Sequence, residues 1–389
     1  MVPSFGSQIG PLLFLTTIFF LNFISRIILA PLMPAIEKDL GVSHGEAGSL
    51  FLLISAGYFI SLLGSGFFSS RLLHKRTIIV SATAVGVALF GIAFTDSLWG
   101  TRMVLVLLGL ASGLYLPSGI ATLTALISPR HWGKAIAIHE LAPNLGFVAA
   151  PLVSEALLTW FSWRGVLVFL GGLSVLMGIA FARLGRGGEF PGEPPNFAAF
   201  KALFREPAFW IMMFLFSLGI GGTLGVYTML PLYLITEHGI NRNRANTLIA
   251  LSRIPGIGMA FLAGWANDRL GPRRTIEMAF LLTGFMTILL GAAPAPWITT
   301  IVFLQPIIAV CFFPPGFAAL SSIGPPNARN VAVSLTVPFA FVLGGGAIPI
   351  GIGIMGDTGS FSLGIAMTGG LILMGFILSL YLRLPDSVN

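Results

Sequence analysis

Charge is what this sequence has least of. Only 9% of its 389 residues are Asp, Glu, Lys or Arg, against about 25% in an ordinary soluble domain, and that shortfall excludes a soluble enzyme. Cysteine is scarcer still: Cys311 stands alone inside an apolar run, so neither a disulfide framework nor a thiolate metal cluster can form. The five His are scattered and no Gly-x-x-x-x-Gly-Lys loop is present to cradle a phosphate. No metal, no cofactor and no ATP hydrolysis of the chain's own is therefore expected. Acid is rarer than base, 14 residues against 21, for a net charge of +7. The basic residues sit in short loops between apolar runs, where they orient a membrane protein rather than bind nucleic acid.

What fills the chain is lipid-compatible: 56% hydrophobic residues, 48 Gly and 33 Phe. A crossing needs about 20 predominantly apolar residues. Twelve runs qualify, at roughly 11–36, 46–69, 77–95, 101–127, 134–158, 163–183, 208–236, 245–267, 274–293, 297–322, 330–355 and 361–383. The first lacks a basic leader and a small-residue cleavage site, so it is expected to stay as a helix rather than leave as a signal peptide. Twelve crossings put both termini on one side. Fourteen of the 21 Lys and Arg fall on that side and five on the other (Lys38, Arg102, Arg164, Arg242 and Arg244). By the positive-inside rule the termini are cytoplasmic, as in a multi-pass protein of the inner membrane. The remaining two, Arg26 and Arg253, lie within the membrane.

Residues 184–207 change composition to Gly, Pro and charge, then place Phe197, Phe200 and Phe204 at helical spacing. This reads as a cytoplasmic linker with a short interfacial helix, between an amino-terminal bundle over 1–183 and a carboxyl-terminal bundle over 208–389. The halves repeat. Gly66-x-x-x-Ser70-Arg71 realigns with Gly264-x-x-x-Asp268-Arg269, and Gly146-x-x-x-x-Pro151 with Gly344-x-x-x-x-Pro349, both at an offset of 198. Six helices repeated in one orientation give an all-α integral membrane fold of two six-helix bundles. A pseudo-two-fold axis along the membrane normal relates them, and a binding site is expected between them near the midplane.

The segment from Gly264 to Arg274, with Asp268, Arg269, Gly271 and Arg273, resembles the loop signature between helices 8 and 9 of the major facilitator superfamily. The resemblance in architecture covers essentially the whole chain. It implies a joint in which an acid at a helix end and bases after a tight Gly turn hold neighbouring helix ends together. The amino-terminal copy keeps Arg71 but has Ser70 for the acid and Leu73 for the turn Gly, which weakens the latch expected there.

An Arg near the bilayer centre costs about 2.5–3.5 kcal/mol on insertion scales, so it turns toward water, a partner or a substrate. Arg26 and Arg253 lie at similar depth on oppositely directed crossings. Their repeat positions are Val226 and Ser55, which argues against a need of the scaffold. One Arg from each bundle facing a shared cavity would clamp an anion, and guanidinium forks suit carboxylates. The bland alternative is that either one snorkels to the surface or neutralises helix carbonyls. Arg253 is similar to the helix-8 Arg of monocarboxylate and oxalate/formate porters, and Arg26 to the helix-1 Arg of organic-anion:cation symporters; the resemblance implies a carboxylate. Leu105 stands where proton-linked members carry an Arg, and the Gly-Pro pattern of antiporters is missing from Ala150-Pro151-Leu152, so drug:proton antiport is the weaker expectation.

The fifth run carries His139-Glu140, with Asn144, Pro151 and Glu155 continuing the stripe at helical spacing. Desolvation raises a carboxyl's pKa and His already titrates near neutrality, so Glu140 with His139 is the proton-coupling candidate. The plainer reading has the pair cap a helix end or meet Arg130 or Lys134. Glu155 is expected at the outer rim, in water or on Arg164. Asn22, Tyr58, Tyr115, Tyr227, Gln305 and Asn144 are further candidates for lining the cavity, although most aromatics in such a chain only pack. Gly344-Gly345-Gly346 is a candidate hinge. The expectation is a monomeric secondary transporter, alternating access to carry a small mono- or dicarboxylate anion by proton symport. An inorganic-anion carrier for nitrate or nitrite, a drug exporter and a membrane receptor without flux are the rivals.

Overall fold

The computed structural model describes residues 5–193, 203–324 and 329–384. Among them the chain is helical with no strand, as a bilayer requires: with no water to take up N–H and C=O groups, each segment must satisfy its own backbone. Eleven helical stretches are long and apolar enough to cross a membrane. They account for twelve crossings because α3 (His44–Phe94) runs for 51 residues. At 1.5 Å per residue that is more than twice the roughly 30 Å hydrocarbon core. The runs 46–69 and 77–95 are its two arms, joined at Leu73 with φ 68° and ψ 154°.

Proline sets where the other crossings break. The first divides into α1 (Phe5–Ile27) and α2 (Leu29–Leu40), and Pro31 has no N–H for the Ile27 carbonyl. The third divides into α4 (Leu98–Gly113) and α5 (Tyr115–Leu126), with Pro117 four residues past Gly113 for the same reason. After them come α6 (Trp132–Leu158) and α7 (Trp163–Leu184). The second half opens with α8 (Pro207–Ile220), a π-helical turn at Gly221–Gly225 and α9 (Val226–Thr236). It continues through α10 (Arg242–Leu270), α11 (Pro272–Ala292), α12 (Ile298–Ala309) and α13 (Phe313–Leu320). It closes with α14 (Arg329–Val342), a second π turn at Leu343–Ala347, α15 (Ile348–Asp357) and α16 (Phe361–Ser379).

The chain divides into two compact units, one of 1–36 and 53–195, the other of 37–52 and 196–389. In the first, α1 packs along α6 over a core that includes Leu15, Phe19, Tyr115 and Phe181. Gly57 and Gly109 let α3 and α4 touch backbone to backbone; a Cβ on either would run into a carbonyl of the other helix. In the second, α11 lies against α16, and the two π turns meet at Gly344, where a Cβ would strike Ser217 and Gly221. The start of α3 belongs to this second unit. There Ser43 and Glu46 cap the helix reciprocally at 3.1 and 3.3 Å. Asp357 accepts the N–H groups of His44 and Gly45 at 2.7 and 2.9 Å, and His44 pairs with Glu37 at 2.9 Å. Phe197 and Phe200 of the interfacial helix expected in 184–207 lie outside the described residues; Phe204 is exposed and its ring stacks on Trp210 at 5.4 Å.

Leu73 occupies the repeat position of Gly271, whose φ 80° and ψ 160° are nearly the same. That region of backbone space is Gly territory, and a side chain there costs about 1–3 kcal/mol. Leu73→Gly should therefore raise stability by roughly 1 kcal/mol after the entropy cost of a new glycine. Thermal unfolding of the purified variant checks this; a lowered midpoint would mean that Leu73's packing outweighs its strain.

Candidate functional site

Each of the two intramembrane arginines sits on a tyrosine of its own unit. Arg26 occupies the last turn of α1 and is 7% exposed. Its guanidinium carbon lies 4.1 Å from the centroid of the Tyr58 ring and 5.1 Å from that of Phe23. An aromatic face stabilises a desolvated cation by about 2 kcal/mol, which offsets much of the insertion cost while leaving the charge in place. One turn earlier, Asn22 is committed to the scaffold, donating to the Ser112 carbonyl at 3.1 Å and to Ser81 Oγ at 3.4 Å.

Arg253, half-buried in α10, stands 4.9 Å from the Tyr227 ring centroid and donates from Nη2 to the Thr223 carbonyl at 3.1 Å. Thr223 is in the π turn Gly221–Gly225, whose widened hydrogen-bond spacing leaves carbonyls open to side chains. Gln305 uses another of them: its Nε2 donates to the Gly222 carbonyl at 2.8 Å and to Thr287 Oγ1 at 3.1 Å. The π turn, unforeseen from the sequence, thus positions Arg253 and occupies Gln305; Gly221-Gly222-Thr223-Leu224-Gly225 was its only trace.

His139 is fully buried in α6 and stacked at 4.5 Å on Phe19, with the Tyr115 ring 5.9 Å away and nearly parallel. Tyr115, at the start of α5, puts its hydroxyl 3.0 Å from His139 Nε2 and donates to the Leu15 carbonyl at 2.6 Å. Across the ring, Nδ1 lies 3.4 Å from Glu140 Oε1, on a carboxylate side chain that is half exposed. Asn144 donates to the Glu140 carbonyl at 3.0 Å. Glu155, in the last turn of α6, is buried at 8% exposure, and Arg164 reaches Asp96 at 3.4 Å and lies over Trp163.

In the loop signature the helix ends are held by Arg273. It bonds Glu277 Oε1 at 2.9 Å through Nε and reaches the Leu380 carbonyl, past the end of α16, at 2.8 Å. Asp268 takes a 3.4 Å contact from Asn267, Arg269 lies over the Trp265 ring at 4.6 Å, and Gly264 faces open space. In the first copy, where the acid is missing and Arg71 is exposed, a strap from the linker does the holding. Lys75 N–H donates to the Gly188 carbonyl at 2.8 Å, His74 N–H to Phe190 at 3.2 Å, and Gly192 N–H to Ser69 at 3.0 Å. Lys75 Nζ also pairs with Glu189 at 2.8 Å and holds that carboxyl below the usual carboxylate range. Gly187 and Gly188, at φ 82° and 76°, make the turn that brings the strap in. Among the described residues no group of three or more His, Cys, Asp or Glu is placed to hold a metal ion.

Helices of this length, apolarity and repeat define a multi-pass membrane protein. Residues 15–349 match the family model of the Major Facilitator Superfamily, and the chain belongs to that superfamily. Among curated relatives it is 26% identical to the gallate transporter of Pseudomonas putida, over 67% of this chain and 65% of that protein. It is 24% identical to a probable L-galactonate transporter of Escherichia coli K12, over 64% of this chain and 59% of that one. The chain thus spans somewhat under two thirds of the length of these two relatives. In fold it is similar to the crystal structure of a bacterial homolog of the human lysosomal transporter Spinster, inward-facing and unoccupied. The TM-score is 0.86 at 16% identity, covering 99% of this chain and all of that one.

If Gln305 serves the π turn, Gln305→Leu should lower stability by about 1–3 kcal/mol, the cost of leaving a buried carbonyl unsatisfied. Thermal unfolding in detergent measures it, and an unchanged midpoint would free Gln305 for a role at the ligand.

Proposed function

We propose that this chain is a secondary active transporter of a small organic anion, a mono- or dicarboxylate, working as a proton symporter by alternating access. The observation that carries the reading is the pair of intramembrane guanidinium groups, one in each unit, each laid on a tyrosine ring. A cation within the membrane is costly and marks a functional site by default, and the solute that suits a guanidinium is an anion. Arg253 and Arg26 fix the carboxylate, with Tyr227 and Tyr58 beside them, and Glu140 or His139 takes the proton. The relatives' names support the substrate class, since gallate and galactonate are both carboxylates. The excess of Lys and Arg in the loops on the side of the termini supports an inner-membrane protein with both termini cytoplasmic. The monomer is taken as the working unit.

In sealed vesicles containing the purified protein, uptake of labelled gallate or galactonate should follow an inward proton gradient. Arg253→Ala should reduce it by about 100-fold or more, the scale of truncating a desolvated charge partner, while the thermal midpoint without solute stays near wild type. Retained uptake in that variant contradicts the proposal. Nitrate that competes while carboxylates do not would replace it with an inorganic-anion carrier, and ethidium efflux without anion uptake with a drug exporter.

A further inference from the structure

We infer that Tyr115 is a positioning residue: it fixes His139 as the Nε2–H tautomer and so makes the facing pair, His139 Nδ1 and Glu140 Oε1, a site for one proton. The inference rests on the proton-symport reading above and names the atoms that would hold the proton.

A tyrosine hydroxyl has one hydrogen. At 2.6 Å from the Leu15 carbonyl, an oxygen that can only accept, that hydrogen must lie between the two oxygens. Tyr115 Oη then has only lone pairs to offer the ring nitrogen 3.0 Å away, so Nε2 must carry a hydrogen and donate it. Nothing else at the site relaxes this assignment. His139 has no exposed surface for water to reach, and its ring is stacked on Phe19 and nearly parallel to that of Tyr115, at 10° and 9°. A flipped ring would turn carbon toward the hydroxyl and forfeit the bond.

With Nε2 protonated, a neutral ring presents a bare lone pair at Nδ1, and what faces it at 3.4 Å is a carboxylate oxygen. Two acceptors face one another with room for one hydrogen. Adding a proton converts the contact into a hydrogen bond, whether the proton rests on Nδ1 or on Oε1, and takes the pair from a charge of −1 to 0. The neutral pair is the form that a membrane interior tolerates. Glu140 is half exposed and His139 is sealed, so the proton enters and leaves through the carboxylate. The groups facing the pair are Tyr115 from α5 and Phe19 from α1.

The test is nitrogen NMR of the whole protein in lipid nanodiscs, with 15N-labelled histidine and the His139 signals assigned by their loss in His139→Gln. At alkaline pH the wild type should show His139 neutral with hydrogen on Nε2, and one further proton should bind on acidification. In Tyr115→Phe the tautomer preference should be lost and the midpoint of that titration should move, in a protein whose thermal midpoint shows it folded. A wild-type ring with hydrogen on Nδ1 overturns the inference, as does an unchanged tautomer and titration in folded Tyr115→Phe. Should Tyr115→Phe not fold, the wild-type tautomer alone decides. The symport reading fails separately: proton-driven uptake that survives Glu140→Gln and His139→Gln would sink the coupling role while leaving the tautomer lock standing.

Discussion

A guanidinium held inside the membrane is the constraint on which the functional account turns. Its desolvation costs a few kcal/mol even on the mildest scale, and aromatic rings and a backbone carbonyl offset part of that cost. Arg26 is laid on Tyr58 and Arg253 on Tyr227, and Arg253 adds a carbonyl from the π turn. Rings and carbonyls stabilise a cation as quadrupoles and dipoles do, without adding a countercharge of their own.

The same economy governs the backbone. In lipid a helix cannot leave carbonyls bare, yet this chain breaks its crossings at Pro31 and Pro117 and widens others into π turns at Gly221–Gly225 and Leu343–Ala347. The carbonyls so released are answered by side chains: Gln305 at Gly222 and Arg253 at Thr223. The two broken crossings are also tied to each other by Asn22 at Ser112 and Tyr115 at Leu15. Several residues that look like binding groups in the sequence are therefore the stitches of the scaffold, and the glycines around them allow the close approach that such stitches need.

What was legible in the sequence follows from the range of each interaction. The crossings are a matter of composition over about 20 residues, and the breaks lie four residues ahead of a proline, so both can be read locally. The two arginines stood out because charge is so rare. The 51-residue α3 reads as two runs because Arg71, Lys75 and Arg76 interrupt the apolar sequence around the joint at Leu73. Non-local contacts were closed to such a reading. Ser43-x-x-Glu46 is a capping signature that could have been noticed, but nothing near Asp357 says that it will cap the same helix from 313 residues away. The strap from Gly188 to Gly192 was read as part of a linker because glycine, proline and charge are what linkers are made of.

The central claim, an anion clamp of two arginines, is tested most directly by the thermal stability of the detergent-purified protein with and without candidate solutes. A ligand that binds only the folded state raises stability by RT ln(1 + [L]/Kd), about 2.7 kcal/mol at a hundredfold excess over Kd. The account predicts that a small carboxylate raises the midpoint of the wild type and does not raise that of Arg253→Ala. Stabilisation by cationic drugs alone, or a carboxylate effect that survives the loss of both Arg26 and Arg253, would contradict it.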